Sequence, residues 1–114
     1  MTAPLVDAYP AVAAWLDRVL GFGHGTFSEM SAEQALEVAR NTAPAALPNE
    51  LFEDLNGFKP GQQVTIAATD YGTDPVAGEL LFAGREELIL RRTDERAGTV
   101  HVHFPRMGFR IQAQ

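Results

Sequence analysis

Apolar positions along this chain repeat with two different periods, and the change falls near Pro44. Before it the period is helical. Val12, Trp15, Leu16, Val19 and Leu20 recur at i, i+3, i+4, i+7 and i+8, which places them on one stripe of a helix. Pro10 suits the first helical position, because its missing N–H would have had no partner there, and Gly21 and Gly23 end the element. A second helix is signalled by "MSAEQALEVAR". Ser31 is an N-cap, Gln34 three residues on completes a capping box, and Glu33 complements the dipole of the first turn. Its apolar face is narrow and built of small residues, Ala35, Leu36 and Ala39. The two elements read as a helical hairpin over residues 1–43. Residues 44–58, with two prolines and mixed polarity, read as a linker carrying one helical turn around Leu51 to Leu55.

From Lys59 the period becomes two. Val64, Ile66 and Ala68 alternate with Thr65, Ala67 and Thr69. "GELLFA" and "EELILRR" flank Gly84-Arg85, a spacer with the composition of a type II′ hairpin turn. Val100, Val102 and Phe104 alternate with His101 and His103, and Phe109 and Ile111 mark a last short strand. Alternation assigns Phe82, Phe104 and Phe109 to the core. Pro105 cannot donate to a ladder and ends the fourth strand, and Gly108 lets the chain turn before the fifth. Five strands joined by a long loop, a tight hairpin, a turn and a short break predict a five-stranded SH3-like β-barrel over residues 59–114. The expected fold class is therefore α+β, with the β part able to fold by itself from about Gly57 onward.

Composition narrows the function classes. The chain has 114 residues and a formal charge of -6, with 15 acidic and 9 basic side chains. Lys59 is its one lysine, so a nucleic-acid partner is not expected. The absence of cysteine excludes disulfides, thiolate zinc sites and a cysteine nucleophile. No apolar run is long enough to cross a membrane and no basic region precedes the first one, so no membrane partner and a cytoplasmic location are expected.

Several segments together resemble a known family. "AYPAVAAWLDRVLGFGHG" resembles the late C-terminal helix of bacterial glutathione S-transferase-like proteins, in which a Tyr-Pro or Phe-Pro pair introduces a helix with a packed Trp. "MSAEQALEVAR", "FKPGQQVTI", "DYGTDPVAGEL" and "VHFPRMGFRI" resemble a further tail found on some bacterial members. The resemblance covers nearly the whole chain. It implies the C-terminal tail region of such a protein without its thioredoxin-like, thiol-activating domain, so no catalytic residue of the family maps onto this sequence and no cofactor is expected. The function expected is a non-catalytic accessory or interaction domain, with a catalytic glutathione transferase-like domain as a partner. A small peptide- or ligand-binding SH3-like module is the alternative.

The candidate ligand-binding residues are Tyr71, His101, His103 and Arg106. His101 and His103, at i and i+2, point to one face of a strand, but a metal site needs a third ligand that spacing does not supply. They are therefore expected as ordinary surface residues rather than a metal pair. Tyr71, Pro75 and Phe104-Pro105 resemble the aromatic groove with which SH3 domains take Pro-rich peptides. Arg106 belongs to the only basic concentration, with Arg91, Arg92, Arg96 and Arg110, and nearby acids make a charge-mixed surface. The Trp15 stripe is too apolar to be left in water, and a homodimer through the Trp15 helix is expected to cover it.

Overall fold

The computed structural model describes residues 3–114, which fall into two compact units divided between Met30 and Ser31. The first contains α1 (Ala3–Val6) and α2 (Pro10–Leu20). α2 starts at the proline, with the Tyr9 carbonyl accepting from the N–H groups of Val12 and Ala13. It ends where Gly21 donates to Asp17 and Gly23 takes a left-handed φ of 65° that a side chain would resist. No residue of α2 is buried.

The second unit opens with α3 (Ala32–Asn41). Its capping box forms in full: the Ser31 hydroxyl accepts from the Gln34 N–H at 3.2 Å, and the Gln34 side-chain oxygen accepts from the Ser31 N–H at 2.9 Å. Five strands follow, β1 (Gln63–Ala68), β2 (Val76–Ala83), β3 (Glu87–Asp94), β4 (Gly98–Pro105) and β5 (Phe109–Ala113). All pairings are antiparallel, in the order β4-β3-β2-β1-β5. The first four strands form a meander and the fifth returns to pair with the first. The sheet is open: β4 and β5 stand at its two edges and no ladder joins them, in place of the closed barrel expected. After Pro105, the carbonyl of Gly108 is taken by the N–H of Thr69 at 2.9 Å, so the chain leaving β4 is drawn to the β1 side. α3 lies against β4. Its last-turn Arg40 donates to the Arg96 carbonyl at 2.6 Å and 3.2 Å, tying the helix to the β3–β4 turn.

The core sits on one face of the sheet. Val64, Ile66, Leu80, Ala83, Leu88, Leu90 and Phe104 form it, with Phe52, Phe58, Val76, Val102, Phe109 and Ile111 packed against it. Each fully buried Leu or Ile contributes up to about 1.5–3 kcal/mol of transfer free energy. The Phe104 and Phe109 rings pack at 5.5 Å between centroids, as alternation predicts. Phe82 is buried too, as expected, but on the other face of the sheet. Leu80 pairs with Leu90 but Phe82 pairs with Ile89, so a β-bulge at Leu81 turns Phe82 to the opposite face from Leu80. There Phe82 and Ile89 are both buried, apart from the main cluster.

Two local expectations change for identifiable reasons. The β2–β3 connection comprises residues 84–86, and Gly84 lacks the positive φ of a type II′ turn. Its glycine is needed for space instead, since a Cβ there would stand 2.5 Å from the Phe82 ring. Residues 51–55 form no helical turn. The Asp54 carboxylate accepts from the Asn56 and Phe58 N–H groups at 3.1 Å and 2.8 Å, closing an Asx-type turn that competes with helix.

Candidate functional site

Strand register builds a polar row across the face opposite the core. Gln63 pairs with Glu79, Glu79 with Arg91, and Arg91 with His101, so four polar side chains cross β1 to β4 in line. The Arg91 Nη2 donates to Glu79 Oε2 at 2.6 Å and its Nε to the same oxygen at 3.1 Å. Both side chains are partly solvated, so the pair fixes orientation more than it stabilises. His101 is half-buried. Burial holds its imidazole below the ordinary histidine value, assisted by the positive field of Arg91 and by His103.

His103 shares that face, as the i, i+2 spacing predicts, and its Nδ1 lies 3.0 Å from Glu87 Oε2. Beside these two histidines runs a groove of about 280 Å³ between α3 and β4, lined by Val38, Ala39, Pro44, Val100, His101 and His103 among others. Among the described residues no group of three His, Asp or Glu side chains converges as a metal site would require.

Arg106 does something its sequence neighbourhood does not suggest. Nε donates to the Gly84 carbonyl at 2.8 Å, Nη2 to the Glu53 carbonyl at 2.7 Å, and Nη1 to Asp54 Oδ1 at 3.0 Å. Its backbone N–H donates to Glu86 at 2.9 Å, and Glu53 donates to Ala83 at 2.7 Å. One guanidinium thus clamps residues 53–54 to the β2–β3 connection. The Asp54 side chain is fully covered, and burial alone would raise its pKa. The Phe58 N–H, Arg106 and the Asn56 N–H outweigh that and hold it below the usual carboxylate value. With all three kinds of guanidinium nitrogen engaged within the chain, Arg106 is a positioning residue.

The four candidate residues therefore do not converge. His101 and His103 share one groove, Arg106 lies in the clamp, and Tyr71 stands 93% exposed on the β1–β2 loop. The aromatic groove expected from Tyr71 and Phe104 loses one wall, because Phe104 is only 8% exposed and belongs to the core. Sequence reasoning missed Asp54 and Glu53. The run Asp54-Leu55-Asn56-Gly57 carried a turn signal, but the arginine 52 positions away carried none.

The described residues thus define an open antiparallel sheet unit with an adjoining helix, preceded by a separate helical unit. No family model matches this chain, and no curated protein does. It is similar to a GST-like protein from Pseudomonas syringae whose crystal structure is known, with 64% sequence identity and a TM-score of 0.82. The similarity takes in 99% of this chain but 41% of that one. The chain therefore resembles a segment of a GST-like protein, as its motifs implied, and spans less than half of that protein's length.

Proposed function

We propose that this chain is a non-catalytic accessory segment of a GST-like protein, corresponding to its C-terminal part. The observation that carries the reading is the match itself: nearly all of this chain is paired, at 64% identity, with 41% of a GST-like chain. More than half of such a chain then lies outside the match and is free to carry the glutathione chemistry. What the described residues contribute is scaffold chemistry. The Arg106 clamp and the Arg40 tie join elements to one another, and in the polar row Arg91 and Glu79 are paired across the strands. The meander with β5 returned to β1, and the Pro105–Gly108 break, support an SH3-like arrangement as the finer description of the sheet.

Glutathione binding by the isolated chain tests the reading. Titration calorimetry at millimolar glutathione is expected to give no saturable heat. A saturable isotherm with micromolar affinity would assign a glutathione site to this segment and overturn the accessory role.

A further inference from the structure

The run Asp54-Leu55-Asn56-Gly57 places an asparagine directly before a glycine on an exposed turn. Such a pair is reactive. The side-chain amide of an asparagine is within reach of the next backbone nitrogen, and a side chain on the following residue is what ordinarily obstructs their approach. Gly57 has none. Its φ of 83° lies in the left-handed region, and no atom stands within 4 Å of where a Cβ would be. Its N–H is loosely held, donating to the Asp54 carbonyl at 3.4 Å. Asn56 Nδ2 lies 3.4 Å from Asp54 Oδ1, beyond the usual hydrogen-bond range, so the amide is not fixed either. The chain's other two asparagines are set differently. Asn41 ends α3 and precedes the β-branched Thr42. Asn49 precedes Glu50, whose carboxylate disfavours an anionic nitrogen beside it.

We propose that Asn56 is a site of spontaneous modification, deamidation through a succinimide, and that its conversion loosens the Arg106–Asp54 clamp. Hydroxide takes the Gly57 amide proton, and the nitrogen attacks the Asn56 side-chain carbonyl carbon. The new C–N bond closes a ring, the bond to Nδ2 breaks, and that nitrogen takes a proton from water and leaves as ammonia. Water then adds to one of the two ring carbonyls, and the C–N bond there breaks. Opening at the former side-chain carbonyl leaves aspartate at position 56. Opening at the main-chain carbonyl leaves isoaspartate, whose backbone runs through the former side chain and is one carbon longer. Water is the only co-reactant, and nothing is oxidised or reduced.

The consequence follows from what flanks the remade bond. Asp54 Oδ2 accepts from the Asn56 N–H at 3.1 Å and from the Phe58 N–H at 2.8 Å. The extra carbon of isoaspartate changes the spacing between those two donors. Either product also sets a new carboxylate near the covered Asp54 side chain, whose countercharge is Arg106. Phe58 packs against the core, so its displacement is felt there as well.

The test is to age the full chain at mildly alkaline pH. Peptide mapping by mass spectrometry is expected to show the Asn56 amide lost to a mixture of aspartate and isoaspartate, while Asn41 and Asn49 keep theirs. The loss is expected to quicken as pH rises. The urea midpoint of the converted chain is expected to fall below that of the fresh chain. Asn56→Gln keeps the backbone donor to Asp54, and its longer side chain would have to close a larger ring, so it is expected to hold its midpoint through the same treatment. An Asn56 amide retained as long as that of Asn49, or conversion to aspartate without isoaspartate, overturns the modification site. An unchanged midpoint in the fully converted chain overturns its effect on the clamp, and so does an equal fall in the aged Asn56→Gln variant.

Discussion

Arg106 holds together a region that no local pattern joins. Removing its side chain strands the covered Asp54 carboxylate with two backbone donors and no countercharge. Arg106→Ala is expected to lower unfolding stability by about 2–4 kcal/mol, the range for one partner lost from a buried, hydrogen-bonded pair. Arg106→Lys should recover little of it, because an ammonium cannot serve two carbonyls and a carboxylate in the fork geometry. Urea midpoints measure both, and a change below about 0.5 kcal/mol for the alanine variant, the size of an ordinary surface substitution, contradicts the clamp. Titration at His101 and Asp54 works in one direction. His101 has a folded value below the ordinary 6.5, so as pH falls the unfolded chain protonates there first and stability drops through that region. Asp54, held below 3.8, likewise keeps its contribution above that value and loses it as pH falls further. Melting temperature is expected to decline from neutral pH into acid in these two steps, and His101→Gln should remove the first. A melting temperature that rises between pH 7 and pH 5.5 refutes this.

At the level of elements, legibility in the sequence followed locality. The start of α2 at Pro10, the capping box at Ser31 and the strands read from alternation, β1 and β4, depend on neighbours within four residues, and each forms where expected. The Phe82 reversal, the clamp and the attachment of α3 to the sheet depend on contacts across the fold. Alternation cannot announce a bulge, and a linker composition cannot show that Phe52 and Phe58 pack against a core. The histidine pair was legible as a pair on one face, whereas the half-buried setting of His101 beside α3 was not. These contacts bear on the expectation that the β part folds by itself from Gly57. Residues 31–114 are expected to unfold in one cooperative transition, since they form one compact unit. Residues 57–114 lack Phe52, Glu53 and Asp54, and should be less stable by about 3–5 kcal/mol, the cost of deleting a packed phenylalanine. Equal melting temperatures for the two would show that residues 31–56 add nothing.

At the scale of the whole chain, the similarity sets the frame: it takes in 99% of this chain and 41% of a GST-like one. Among the described residues no helix is long and apolar enough to cross a membrane. On the proposed accessory reading, the chain by itself should be inert. The most direct measurement is conjugation of glutathione to chlorodinitrobenzene by the purified chain, run beside the Pseudomonas syringae protein under the same conditions. The account predicts a rate for this chain indistinguishable from buffer. A rate well above buffer that scales with its concentration would contradict it.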